Sequence, residues 1–486
     1  MPESEQASPE PSFRDPAGHL LLKENYALRR INAAAADEAC RFLRSQFRES
    51  LEQSGDLIAS EVVEAGSLDA EAAGQTEPGE LLLRHPRIDP ISYPWEWTRG
   101  QWRAAAELTL RMAQKAIDAG WMLKDATPLN VLFAGARPIF VDVLSFEPRS
   151  PHSTVWLAYG QFVRTFLLPL AAAKYLSWPL QATLFWRDGY EPGQLYRALP
   201  VWRLLDPNLV DVVTLATLME REKGKPQSLP SNSPMADRKL AAHILHKRLA
   251  RLGLQIRNMT KGVSKSEWSA YEQSASHYQP VDIDRKQEFV RGALERCRPA
   301  RVLDIGANTG TYSLMAAGAG AEVVALDSDA AALETLWRAA FDQGLPVTAL
   351  VANIARPTPA AGWRNREQLS LLERLSGRFD LVLMLAVIHH LILREQIPLT
   401  HIGELCAALT RRWLVLEWVP PSDPMFQEWL RGRDELYGQL TESDLNRAFA
   451  PYFHGVERSQ LENGRVLLLY ERHNRAEAAA EATQPC

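Results

Sequence analysis

Hydrophobic and polar positions follow two different rhythms along this chain. From Arg301 onward, short apolar runs recur, each closed by a turn residue and followed by a segment with helical spacing. The runs are 302–305, 322–326, 347–351, 379–384 and 413–418. Continuous apolar runs of this length read as strands buried on both faces. Their alternation with helices predicts a doubly wound, mostly parallel α/β sheet. The series closes with 453–461, Glu462-Asn463-Gly464 and 465–470, two extended runs about an Asn-Gly turn, which predicts a terminal antiparallel hairpin.

Before Arg301 the rhythm is mixed, as in an α+β domain. Residues 18–22 and 26–31 read as short strands, 33–52 as an Ala-rich helical stretch, 64–80 as a Gly/Ala/Ser/Glu loop, and 81–83 as another strand. Residues 102–119 read as a helix, with Leu108, Met112, Ala116 and Ala119 on one buried face. Residues 155–218 are apolar and helical in character. Lys, Pro, Ser and Asn concentrate in 221–237, which marks a linker. In 239–265, Lys239, Lys247, Arg248, Arg251, Arg257, Lys261 and Lys265 are set among leucines, giving a basic helix that faces solvent or a partner. The expected divisions are a disordered amino terminus at 1–16, a first domain at 17–220, linker and basic helix at 221–265, the parallel-sheet domain at 266–473, and a disordered tail at 474–486.

The 486 residues exceed one typical core, in keeping with two domains. A formal net charge of -5 offers no electrostatic reason to expect nucleic acid. Cys40, Cys297, Cys406 and Cys486 show neither pair nor ligand spacing, which suggests a reducing compartment and no structural metal. Residues 1–16 have no basic start and no apolar core, so they do not read as a signal peptide. The longest apolar neighbourhood, 162–186, is interrupted by Arg164, Pro169 and Lys174. A membrane span needs about 20 apolar residues in a row. This stretch reads as a buried helix, with peripheral membrane contact as the alternative, and a cytoplasmic protein without a transmembrane span is expected.

Candidate chemistry concentrates at Arg301-Val-Leu-Asp-Ile-Gly-Ala-Asn-Thr-Gly310. Asp304 breaks the apolar run just before a turn, and Gly306 and Gly310 permit tight geometry and close approach of a ligand at the mouth of a helix. The spacing D-x-G-x-x-x-G resembles motif I of the class I S-adenosylmethionine-dependent methyltransferases. The resemblance implies that Asp304, Gly306, Asn308 and Gly310 bind the cofactor, that Asp327 at the end of the second strand accepts the ribose hydroxyls, and that Asn353 and Ile354 after the third meet the adenine. Asp329 could assist Asp327 or simply cap a helix. In 385–391 the segment with His389-His390-Leu391 resembles the one that closes the cofactor and faces the acceptor in small-molecule members. Either histidine could act as base or orient a hydroxyl, and His389 is the one read toward the pocket. Glu417, polar at a strand tip, would bind acceptor or support a histidine.

A second constellation lies in Leu123-Lys-Asp-Ala-Thr-Pro-Leu-Asn130 and Ile139-Phe-Val-Asp142. It resembles the catalytic segment of the kinase-like fold of aminoglycoside phosphotransferases and choline kinases. That likeness implies Asp125 as the residue at the acceptor hydroxyl, and Asn130 and Asp142 as magnesium ligands for Mg-ATP. The usual His or Arg is replaced by Leu123-Lys124, Asp142 is followed by Val-Leu, and no glycine-rich loop precedes it. Lys23 and Arg29 are the candidate phosphate-binding cations, while turn capping would equally explain Asp125 and Asn130. Tyr93-Pro-Trp-Glu-Trp97, the 123–130 segment and Glu417-Trp-Val-Pro-Pro-Ser-Asp-Pro424 also resemble bacterial nodulation-associated methyltransferase-like proteins. These likenesses imply methyl transfer from S-adenosylmethionine to a small-molecule or saccharide acceptor. The first domain would be either a second, phosphorylating centre or a docking module without catalysis.

Overall fold

The computed structural model describes residues 14–64, 67, 69, 77–222, 237–262, 280–430 and 432–473. Most of the stretches expected to be disordered termini or linker, and Lys265 of the basic segment, lie outside the described residues. The chain divides into two units, one of residues 1–263 with 360–369, the other of 264–359 with 370–486.

In the first unit β1 (Gly18–Leu22) and β2 (Tyr26–Ile31) are followed by α1 (Ala33–Leu43) and α2 (Gln46–Gln53), then by β3 (Glu61–Val62) and β4 (Leu81–Pro86). The strands form an antiparallel sheet in the order β1-β2-β4-β3. The single predicted helix of 33–52 is broken at Ser45, whose hydroxyl accepts from the Arg48 N–H and starts α2 as a new helix. Thr98 and Gln101 form a capping box that opens α3 (Arg99–Asp118), whose buried face includes Trp102, Leu108, Met112 and Ala116. Two small antiparallel pairs follow, β5 (Trp121–Leu123) with β8 (Phe146–Pro148) and β6 (Val131–Ala134) with β7 (Arg137–Phe140). Residues 159–222 wind through short helical segments. The basic segment forms α4 (Arg238–Thr260), which packs on α3 as part of this unit. Its cations serve the unit itself: Arg251 pairs with Asp211 (3.5 Å), Arg257 with Glu107 (3.8 Å), and Arg248 donates to the Thr154 carbonyl (2.9 Å).

The second unit begins with α5 (Pro280–Cys297) and alternates β9 (Arg301–Ile305), α6 (Thr311–Gly318), β10 (Glu322–Asp327), α7 (Ala330–Gln343) and β11 (Val347–Val351). After α8 (Leu371–Leu375) come β12 (Phe379–Met384), α9 (Ile388–Leu393), α10 (Leu399–Leu409) and β13 (Thr410–Trp418). The unit ends with α11 (Pro424–Leu430), α12 (Glu442–Phe449), β14 (Phe453–Gln460) and β15 (Val466–Arg472). The sheet order is β11-β10-β9-β12-β13-β15-β14, parallel from β11 to β13, with β15 antiparallel to both its neighbours. This is the mostly parallel sheet with a terminal hairpin that the apolar runs predict. Leu303, Leu350, Val382, Leu414 and Leu416 are fully buried in its core. The order reverses at β9, and in such sheets the crevice at the carboxyl ends beside the reversal is where ligands bind. Among the described residues no helix is long and apolar enough to cross a membrane.

Candidate functional site

A cavity of ≈ 640 Å³ opens at that edge of the second unit, walled by the residues that follow β9, β10, β11 and β12 and by one face of α5. Three left-handed residues shape the loop after β9: Gly306 (φ 77), Asn308 (φ 49) and Gly310 (φ 92). The two glycines are needed for different neighbours. A Cβ at Gly306 would lie 2.3 Å from Val387 Cγ2, a side chain of the opposite cavity wall. A Cβ at Gly310 would enter the side chain of the fully buried Leu336 on α7, starting at 2.1 Å.

Asp304 is buried and accepts from the Ser313 hydroxyl of α6 (2.6 Å). Burial pushes its pKa up to about 6, and the negative charge of Asp327 adds to the rise. Asp327 lines the cavity, where its two oxygens accept from the Asn308 and Asp329 N–H groups, each at 2.8 Å. Burial raises its pKa as well. Asp329 is the cap of α7, accepting from the Ala331 and Ala332 N–H groups at 2.8 and 3.2 Å. Asn308 Oδ1 is buried without a hydrogen-bond partner. An orphaned acceptor on a cavity wall is costly unless a ligand donor meets it. Asn353 and Ile354 line the cavity, but the Asn353 amide oxygen already accepts from the Ala355 N–H (2.9 Å) in a local turn, and its side chain also hydrogen-bonds Glu395. Two acids, an orphaned acceptor and a loop with room for close approach form a set of acceptors that fits S-adenosylmethionine, a ligand bearing a sulfonium, an ammonium and ribose hydroxyls.

The histidines divide their work differently from the sequence reading. His390 is on the cavity wall, whereas His389 is 3% exposed, lies behind the wall, and has an unpartnered Nδ1. The reason is the helical register. Ala386 takes a left-handed turn (φ 56) after β12, α9 starts at Ile388, and successive residues on a helix point in different directions. The Trp429 ring of α11 packs against both imidazoles, at 5.7 Å from His389 and 4.2 Å from His390. Burial pushes the pKa of His390 down to about 4, with the charges of Arg394 and Arg465 adding to it, and drives that of His389 well down too. Both rings are neutral near pH 7. A neutral His390 can accept a hydrogen bond from an acceptor group, though it holds a proton weakly.

Glu417 is fully buried and forms no part of the cavity wall. It joins a cluster that the sequence reading missed. Lys286 Nζ of α5 is 2.6 Å from Glu417 Oε2, Arg465 donates to Glu417 Oε1 (3.4 Å), and Arg465 grips Asp423 through Nε (2.8 Å) and a second nitrogen (3.3 Å). The Lys286 ammonium also lies over the Tyr312 ring, 5.2 Å from its centre, and both side chains line the cavity. One signal was available: Lys286 falls on the buried face of α5 with Asp282, Phe289, Val290 and Ala293, where an apolar residue would ordinarily stand.

In the first unit, Asn130 and Asp142 meet at Ser145. Asn130 Nδ2 donates to the Ser145 hydroxyl (3.2 Å), which donates to Asp142 Oδ2 (2.5 Å). Arg29 from β2 donates to Asp142 Oδ1 (2.6 Å) and also pairs with Asp15 (2.9 Å). Asp125 feels the Asp142 charge, which together with the larger effect of burial raises its pKa, and it hydrogen-bonds Gln161. Asn130 and Asp142 are thus brought together, with Asp125 within electrostatic reach, but Asp142 is held by a guanidinium and a hydroxyl. As arranged, it does not fit a magnesium ion. Among the described residues no group of three or more His, Cys, Asp or Glu side chains could hold a metal.

Comparison with known proteins reaches both units, with the family match in the second. Residues 303–400 match a family model described as a methyltransferase domain. Over 480 residues the chain is 27% identical to the nodulation protein NoeA of Rhizobium meliloti (strain 1021), covering 95% of each protein. Partial overlaps with solved structures include the N-methyltransferase NodS of Bradyrhizobium japonicum WM9, at 14% identity and TM-score 0.31 over 40% of this chain and 98% of that one. The bifunctional kinase-methyltransferase WbdD overlaps at 16% identity and TM-score 0.30, over 42% of each chain.

Proposed function

We propose that this protein, an S-adenosylmethionine-dependent methyltransferase by its second unit, methylates a small-molecule or saccharide acceptor in the cavity at the carboxyl edge of β9–β12. The observation that carries the proposal is the cavity wall itself. It combines Asp327 at a strand tip, the glycine loop and orphaned amide oxygen of Asn308, and a neutral imidazole at His390. The bound cofactor supplies an electrophilic methyl group. The protein's part is to hold the partners in line and keep water out, which can be worth up to about 7–11 kcal/mol of barrier.

In this reading Gly306 to Gly310 bring backbone close to the cofactor, Asp304 and Asp327 supply negative charge opposite its cationic and hydroxyl-bearing parts, and Ile354 packs on the adenine. Asn353 serves through its Asx turn, which fixes the wall. His390 accepts a hydrogen bond from the acceptor group and aims its lone pair at the methyl. The relative that the chain resembles along nearly its full length is named only as a nodulation protein, and a saccharide-type acceptor is the reading put to the test. Incubation with tritium-labelled S-adenosylmethionine and oligosaccharide pools from rhizobia is expected to label the saccharide fraction. Label confined to protein or nucleic acid would overturn the acceptor class.

For the first unit, the grip of Arg29 and Ser145 on Asp142 favours a kinase-like docking module without phosphoryl transfer. Titration with Mg-ATP is the test. Binding together with phosphorylation that is lost in Asp142→Ala would replace this reading by the bifunctional one.

A further inference from the structure

The cofactor's amino-acid end carries a carboxylate, and a carboxylate leaving water needs a cation or convergent N–H donors. Among the described residues that line the cavity, the cationic side chains are Lys286 and Arg394. Arg394 is exposed, and its neighbour Glu395 pairs with Arg356 (2.7 Å) and hydrogen-bonds Asn353, which puts that end of the wall beside the segment after β11. Lys286 comes instead from α5. Its ammonium is close enough to Asp304 to act on that carboxyl electrostatically, and it rests over the ring of Tyr312 on the helix that the glycine loop opens.

What distinguishes Lys286 is how firmly it is held. Glu417, fully buried, takes it at 2.6 Å while accepting from Arg465, and Arg465 is itself clamped by Asp423. Two cations and two anions, all at most 9% exposed, form a cluster of no net charge. Such a cluster adds little stability over well-packed apolar side chains, so stability alone does not account for it. Its geometric effect is to fix the direction in which one ammonium meets the cavity.

We infer that Lys286 is the carboxylate anchor of the cofactor, with Glu417, Arg465 and Asp423 as the positioning residues that aim it. The inference rests on the cavity being the S-adenosylmethionine site, and it assigns a chemical task to a buried cluster outside the cofactor motif.

Two ligands separate the possibilities. S-adenosylhomocysteine carries the amino-acid end, and 5′-methylthioadenosine lacks it while keeping adenine and ribose. Calorimetric titration of the full chain with each is expected to show Lys286→Met weakening S-adenosylhomocysteine by about 10- to 100-fold, the range of a charge-assisted hydrogen bond. Affinity for 5′-methylthioadenosine should stay within roughly threefold, since it lacks the group that the bond would hold. Glu417→Gln should shift the same ratio in the same direction by a smaller factor. Retained binding of 5′-methylthioadenosine reports that the variant is folded, and Lys286→Gln, which keeps a donor for Glu417, serves if Lys286→Met does not fold. An unchanged ratio between the two ligands in the Lys286 variants would overturn the inference alone. Failure of the wild type to bind either ligand would instead overturn the cofactor site on which it rests.

Discussion

Gly306→Ala is the perturbation whose consequence can be worked most fully from the structure. The new methyl would lie 2.3 Å from Val387 Cγ2 and 3.8 Å from Val387 Cβ, with no other side chain or backbone as near. Alanine at φ 77 pays a left-handed penalty of about 1–2 kcal/mol. The overlap adds roughly 1–3 kcal/mol, as for other methyl groups forced into a packed wall. Together these predict about 2–5 kcal/mol, divided between lower stability and a cavity narrowed where the cofactor loop faces Val387. The assay is a double-mutant cycle with Val387→Ala, read by thermal unfolding and by titration with S-adenosylhomocysteine. Removing the Val387 methyls relieves the overlap and leaves the backbone penalty, so the two changes should couple favourably by about 0.5–3 kcal/mol, the usual range for contacting residues. Additive effects, or a Gly306→Ala protein that binds as tightly as wild type, would refute this account of why glycine stands there.

Cofactor affinity should rise with pH up to about 6 and then level off, because burial holds free Asp304 at a pKa of about 6 and a cationic ligand favours its ionised form. The sign follows from proton release on binding: below that pKa affinity falls by up to about tenfold per pH unit, and titration there in buffers of different ionisation enthalpy should register a proton release in the wild type that is smaller in Asp304→Asn, where the raised Asp327 carboxyl alone remains. Arg465→Met should cost about 3–5 kcal/mol in thermal or denaturant unfolding, since it strips the buried Asp423 of its guanidinium partner. Additional loss of Asp423 by Asp423→Leu in the same chain should recover part of that cost, and no recovery would count against the ion-pair account. Mg-ATP binding should be absent from both the wild type and Arg29→Leu, in which Ser145 still donates to Asp142; calorimetric binding gained in Arg29→Leu would contradict the docking reading of that unit.

Much of the second unit is legible in the sequence because its information is local. Each buried parallel strand is a continuous apolar run, and the residue that ends the run marks the edge of the sheet, as Asp327 does for β10 and Gly306 for β9. The Asn-Gly turn likewise announces the β14–β15 hairpin before any packing is known. What could not be read depends on register or on distant approach. Whether His389 or His390 meets the cavity turns on a left-handed Ala386, one residue in a segment that otherwise reads as helix. Glu417 is visibly out of place in an apolar strand, but its meaning lies in Lys286 and Arg465, which arrive from a helix before the sheet and from the final turn. Asn353 keeps the right position while its oxygen is taken by its own backbone turn. In the first unit the motif spacing brings Asp125, Asn130 and Asp142 to mind, yet only the strand pairing of β2 reveals Arg29 sitting on Asp142.

The central claim is that the cavity beside β9–β12 is where this methyltransferase holds S-adenosylmethionine, with Asp327 on its ribose. Calorimetric titration of the full chain with S-adenosylhomocysteine, repeated on Asp327→Ala, tests it most directly. The account predicts one site per chain in the wild type and a loss of affinity of roughly 10-fold or more in the variant, as expected for removing a carboxylate that accepts from ligand hydroxyls. Binding that is unchanged in Asp327→Ala, or absent from the wild type, would contradict it.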